Sequence, residues 1–410
     1  MSPANLATPD SRTSWLRLAI SLALSTIGGI GLWSPVVVLP AIQQEFGVDR
    51  AGAALPYTVT TIGFALGGVL MGRVADRFGI IVPLSIGAVS LGLGFILAGV
   101  SGSYLQFLIV QAVMIGMLGS SATFGPLVAD VSQWFLKRRG IAIAIVASGN
   151  YLAGTVWPPV LQRAVENFGW RPTYMVIGLL CVATMLPLAL LLKTRPHFDD
   201  QASPASGGGR PGLLPKPAFL YPLLVLAGLS CCVAMSMPQV HIVAYCADLG
   251  FGPARGAEML SLMLGFGVIS RLSSGFIADR IGGVGTLIIG SFLQALSLLL
   301  YIPFDGLVSL YVVSALFGLS QGGIVPSYAL IIRDHFPARE AGTRISLVLT
   351  ATVLGMALGG WMSGKIFDLT GSYHAAFLNG IVWNLVNLAI AAWLLRSRLG
   401  GTRHQTAAAA

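Results

Sequence analysis

The chain alternates between long apolar runs and short polar interruptions, and the runs carry no charged face. Twelve runs reach the length of a membrane crossing, about 20 residues. They fall near 16–40, 54–72, 80–100, 104–129, 140–161, 172–192, 218–246, 257–277, 284–303, 307–332, 343–365 and 374–395. Apolar residues surround each run instead of lining one stripe, which is how a helix reads when its surroundings are lipid and other helices. Pro35, Pro126, Pro158, Pro159, Pro238 and Pro326 lie inside runs. Neighbouring helices can satisfy the backbone groups they free. The first run is too long for a signal-peptide core and is expected to remain as a span. The pattern predicts an all-α membrane protein.

Charge sharpens this picture. The 410 residues include 24 basic and 15 acidic side chains, 10% of the chain. A soluble domain carries roughly 25%, so a soluble fold is excluded. Counting Lys and Arg over alternate loops puts 18 on the side of both termini and 5 on the other, with Arg271 inside a span. The positive-inside rule then places both termini in the cytoplasm. The net charge of +9 suits anionic lipid headgroups and calls for no nucleic acid. Cys181, Cys231, Cys232 and Cys246 lie in or beside apolar runs without metal-ligand spacing and read as packing residues. Neither G-x-x-x-x-G-K-[ST] nor H-E-x-x-H occurs. No enzyme, cofactor or metal is expected.

Residues 193–217 are rich in Pro, Gly and Ser and read as a linker, separating residues 1–192 from 218–410, with six spans each. The halves echo one another. Gly72-Arg-Val-Ala-Asp76-Arg77-Phe-Gly79 follows the second span, and Gly275-Phe-Ile-Ala-Asp279-Arg280-Ile-Gly282 follows the eighth, 203 residues on. A weaker echo pairs Glu166-Asn-Phe-Gly169 with Asp368-Leu-Thr-Gly371. Parallel six-helix repeats are one way to build a transporter. The doubled motif resembles the loop signature of the major facilitator superfamily. That resemblance implies twelve helices in two pseudo-symmetric halves, a monomer, and a conformational gate at Gly72, Asp76, Arg77, Gly79, Gly275, Asp279, Arg280 and Gly282.

Candidate chemistry is sparse, and therefore informative. An ionisable group within a span is costly and is a functional hypothesis by default. Arg271 sits in the eighth span, far from neutralising acids in the sequence; Asp130 and Asp248 fall at span ends. A guanidinium can hold both oxygens of a carboxylate, so Arg271 is either a substrate anchor or a structural group paired with Asp130 or carbonyls. His241 in the seventh span is either a helix–helix hydrogen bond or a proton carrier.

Together these two spans narrow the resemblance. The pattern P-x-V-H-x-x-x-Y-x-x-D-x-G over Pro238–Gly250, with G-x-x-S-R-L-x-S-G-x-x-A-D-R over Gly267–Arg280, is similar to bacterial monocarboxylate transporters and oxalate:formate antiporters. Trp134-Phe-Leu-Lys-Arg-Arg-Gly140 and Gly169-Trp170-Arg171 agree. The resemblance assigns the substrate carboxylate to Arg271 and binding or proton coupling to His241. Oxalate exchangers add a second cation midway along the eleventh span, where this chain has Leu354; one cation suits a monoanion. Animal relatives place an Asp where this chain has Gly267, so a proton would ride on His241 or on the substrate. Tyr151, Tyr328, Asn150 and Gln321 are further pocket candidates able to donate to a carboxylate. The expectation is a bacterial inner-membrane transporter that moves a small monocarboxylate with a proton. Anion exchange, drug efflux and a non-transporting sensor are the alternatives.

Overall fold

The computed structural model describes residues 9–193, 217–336 and 338–408. The interior of the expected linker therefore lies outside the described residues. In chain order the α-helices are α1 (Arg12–Gly28), α2 (Ile30–Phe46), α3 (Arg50–Phe78), α4 (Ile81–Gly99), α5 (Tyr104–Val110), α6 (Gly125–Gln133), α7 (Arg139–Ala147) and α8 (Gly149–Phe168). They continue with α9 (Trp170–Leu191), α10 (Pro217–Asp248), α11 (Pro253–Leu300), α12 (Leu307–Gln321), α13 (Ile324–His335), α14 (Ala338–Thr370) and α15 (Tyr373–Ala408). Among the described residues, eleven helical stretches are long and apolar enough to cross a membrane. One of them, α11, is broken by Gly282 at φ 76 and ψ 172, which separates the eighth and ninth spans. The molecule is a multi-pass integral membrane protein of twelve spans.

Several spans are broken where the apolar pattern runs on unchanged. The first passes from α1 to α2 at Gly29, the fifth from α7 to α8 at Ser148, and the tenth from α12 to α13 at Gly322 and Gly323. The fourth span is the least regular. After α5 it widens into a π-helix over Gln111–Gly119, tightens to a 3-10 turn over Ser120–Thr123, and resumes as α6. A Cβ on Gly116 would lie 2.3 Å from the Thr60 carbonyl oxygen of α3, and one on Gly67 would lie 1.9 Å from that of Met117. The two backbones touch directly, the contact that small residues permit between membrane helices.

Two compact units form, Met1–Val48 with Gly52–Ala205, and Asp49–Ala51 with Ser206–Ala410. In the first, Phe95, Phe107, Trp170 and Tyr174 build an aromatic core, with edge-on pairs at 5.1–5.5 Å. In the second, Tyr301 stacks on Phe377 at 4.9 Å, and Tyr245 meets the same ring edge-on. The sequence repeat recurs in the backbone. Gly79 and Gly282 both take positive φ, 85° and 76°, because each chain reverses direction after a D-R-x-G loop in a conformation open mainly to glycine. Gly169 and Gly371, the ends of the weaker echo, share that property, as do Gly47 and Gly250. All four cysteines are buried as free thiols.

Candidate functional site

In the second unit, Arg271 projects from the apolar first half of α11 and is half-buried. Its neighbour Ser270 fixes it in place. The Ser270 hydroxyl donates to the Leu319 carbonyl at 2.6 Å and accepts from the Gly322 amide at 3.1 Å. A Cβ at Gly322 would lie 2.3 Å from the Arg271 nitrogen. The guanidinium is thus carried on backbone clamped to the break between α12 and α13, and a permanently charged group is held where the tenth span is irregular.

Gln321 closes α12 beside that break. It is fully buried, and its side-chain oxygen accepts from the amide of Gln239 on α10. Two residues further along α10, His241 is 0% exposed. Its Nε2 lies 2.7 Å from the Gly360 carbonyl of α14, and its Nδ1 lies 3.2 Å from the Tyr373 hydroxyl of α15. A carbonyl only accepts, so this geometry assigns the proton to Nε2 and leaves Nδ1 to accept from Tyr373. Tyr328, on α13, is fully buried and donates to Asn387 at 2.8 Å. Arg271, Gln321 and His241 thus belong to one connected region, whereas the Tyr328 hydroxyl is committed to α15.

Asn150 and Tyr151 lie in the first unit at the start of α8. The indole of Trp33 donates to the Asn150 carbonyl at 3.1 Å and to its side-chain oxygen at 3.2 Å. Tyr151 is half-buried. The two loop motifs lie at helix ends: Asp76, Arg77, Gly275, Asp279 and Arg280 are exposed, and Gly72 and Gly79 half-buried. Next to the first motif is a cavity of about 390 Å³ lined by Arg17, Asp76, Arg77, Gly79, Asp130 and Lys193, among others.

Two buried arginines are absent from the pattern-based expectations. Arg17, counted as a tail charge from its position at the edge of the first run, is inside α1 and 5% exposed. Its Nε and Nη2 donate to the two oxygens of Asp130 at 2.7 and 2.8 Å, and its Nη1 reaches the Leu192 carbonyl at 3.2 Å. Asp130, one partner the sequence offered to Arg271, is therefore engaged by Arg17. Arg50, counted as a loop charge, is buried at the start of α3. Its Nη2 donates to both oxygens of Asp248 at 2.9 and 3.0 Å, and its Nη1 donates to the Tyr373 hydroxyl at 3.2 Å. The available signal was an Asp at each span end, with no neighbour in sequence to neutralise it.

The profile of the Major Facilitator Superfamily matches residues 21–313 and 284–410. An MFS-type transporter from Gibberella moniliformis is 26% identical over 363 residues, covering 84% of this chain and 86% of its own. Monocarboxylate transporter 13 from Bos taurus is 25% identical over 376 residues, covering 85% and 86%. Among solved structures, a bacterial homologue of the human lysosomal transporter Spinster, in an inward-facing and occupied conformation, shares the fold. Its TM-score is 0.72 at 15% identity, over 95% of this chain and 97% of that one.

Proposed function

Because this chain belongs to the major facilitator superfamily, and is therefore a transporter and not an enzyme, we propose that its cargo is a small organic monocarboxylate carried together with a proton. The observation that carries this reading is Arg271, a permanent cation in the apolar half of α11, fixed by Ser270 and Gly322 beside Gln321. An arginine inside an apolar span is a functional hypothesis by default, and a carboxylate is the ligand whose two oxygens match a guanidinium fork. A single positive charge balances a monoanion and leaves a dianion half-compensated. His241, on α10, is the side chain in this region whose ring nitrogens can hold or release a proton, so it carries the coupled proton. With the buried Arg17 and Arg50 set aside, the charge bias of the loops is 17 to 4 and supports cytoplasmic termini.

The test is uptake of radiolabelled lactate or formate into proteoliposomes with an alkaline interior. Uptake collapses in Arg271→Ala and in Arg271→Lys, since lysine offers a point charge without the fork. Undiminished uptake in both variants removes Arg271 as the anchor. Counterflow that ignores pH, in vesicles preloaded with anion, replaces symport by exchange.

A further inference from the structure

The internal repeat supplies a comparison inside one molecule. In the first unit, Glu45 at the end of α2 is held by Arg171 at 2.6 and 2.8 Å, a direct acid–guanidinium contact with the Trp170 indole beside it. The equivalent acid in the second unit is Asp248, and the position equivalent to Arg171 is occupied by Tyr373. Here the guanidinium comes from Arg50, and Tyr373 stands between it and His241. The residue equivalent to His241 in the first copy is Val38. One copy has a plain ion pair. The other has an ion pair wired to a titratable ring.

The wiring runs in one direction when His241 is neutral. Arg50 Nη1 donates to the Tyr373 oxygen, the Tyr373 hydroxyl donates to His241 Nδ1, and His241 Nε2 donates to the Gly360 carbonyl. Every donor finds an acceptor. A proton added at Nδ1 turns that nitrogen into a donor, so two donors then converge on the Tyr373 oxygen and its own hydrogen must turn elsewhere. Around this point stand Asp248 and Tyr245 from α10, Lys365 and Asp368 from α14, Tyr373 from α15, and Asp49 and Arg50 at the start of α3. Asp305 acts on Tyr245 from the loop after α11. Asp49, Asp248, Asp305 and Asp368 outnumber Arg50 and Lys365 by two charges, so the group can accept one proton without becoming net positive. Asp368 also receives the backbone amides of Arg50 and Ala51, both at 2.8 Å, so the state of Arg50 is tied to the first turn of α3.

We infer that Tyr373 is a positioning residue that transmits a proton taken up at His241 to the Arg50–Asp248 ion pair, loosening Arg50 and Ala51 from α10, α14 and α15. The inference rests on the proton-coupled reading above and gives that reading its mechanical step. Only hydrogen bonds change: the proton ends on Nδ1, the Tyr373 hydroxyl rotates, and Arg50 loses its hold on Tyr373.

Hydrogen–deuterium exchange of the full chain in lipid nanodiscs tests this without any cargo. After correction for intrinsic exchange, protection of the amides of Arg50 and Ala51 should fall about tenfold between about pH 7.5 and about pH 4. In Tyr373→Phe, which keeps the ring and removes the hydroxyl, protection should no longer depend on pH. Should that variant fail to fold, His241→Gln serves, because its amide can donate to Gly360 and accept from Tyr373 without titrating. A wild-type chain with no pH response in this segment overturns the inference, and so does a full response in Tyr373→Phe or His241→Gln. The two readings fail separately. A silent segment beside pH-driven lactate or formate uptake removes the switch and keeps the cargo, whereas a responsive segment without such uptake does the reverse.

Discussion

The guanidinium of Arg17 grips both carboxylate oxygens of Asp130, 113 residues away in the chain, and lies 4.5 Å above the ring of Trp134. A buried pair of this kind is dangerous to break, because each partner left alone is an unanswered charge.

Asp130→Asn should therefore cost roughly 3–5 kcal/mol of stability, and Arg17→Met a similar amount. The double variant Arg17→Met with Asp130→Leu should lose much less than the sum. Thermal unfolding of the purified variants in detergent gives the comparison. Additive losses would show that the two side chains do not act as a pair.

Gly282→Ala should destabilise by about 1–3 kcal/mol, since φ 76 with ψ 172 is a region essentially closed to residues with a Cβ. Gly275→Ala, at the opposite end of the same motif, has open space around its Cβ and should change stability little. Unfolding temperatures of the two variants, measured side by side, decide whether the first cost belongs to the backbone turn.

Tyr328→Phe separates packing from binding. The lost hydroxyl strands Asn387, which also donates to Ser291 at 2.7 Å, so stability should drop by about 1 kcal/mol or somewhat more. The KM for lactate or formate in proteoliposomes should stay within about twofold of the parent value, a change worth under ~0.5 kcal/mol. A tenfold rise in KM would return this hydroxyl to the substrate.

Asp10 caps the loop before α7. Its carboxylate accepts the backbone amides of Leu136, Lys137 and Arg138 at 3.0–3.2 Å. The amide of Lys137 above all, helped by Leu136, Arg138 and the Arg138 charge against a smaller burial effect, holds its pKa below the ordinary carboxylate value. The depressed folded-state pKa means that this cap is fully in force above the ordinary value and fades as pH falls through the lowered one. Exchange at Leu136–Arg138 should therefore rise below about pH 4 in the parent. In Asp10→Asn it should be raised at every pH and should lose that dependence.

The spans, the membrane setting and the twofold repeat are legible in the sequence because they depend on long apolar runs and on a motif that occurs twice. Even the break at Gly282 is readable, since the repeat places it after D-R-x-G as at Gly79. Arg271 and His241 stand out because a charge or a titratable ring inside an apolar run is itself the signal. Arg17 and Arg50 escape notice for the opposite reason. Each lies beside a run, where cations are ordinary, and only the folded chain reveals that it points inward to an acid more than a hundred residues away. The π-helix of the fourth span is invisible for a third reason. Its sequence, Gln111–Gly119, is largely apolar at any pitch, and the widened stretch is where the backbone lies against α3.

The duplicated backbone means that the protein carries its own control. The two copies share their turning points at Gly79 and Gly282, yet the positions matching Arg271 and His241 in the first are Gly68 and Val38. One copy holds a guanidinium and an imidazole where its twin holds neither, and the space around Gly68, where an added Cβ would meet nothing within 4 Å, leaves room for a transplant: moving the charge to the matching position and asking whether the cargo follows it.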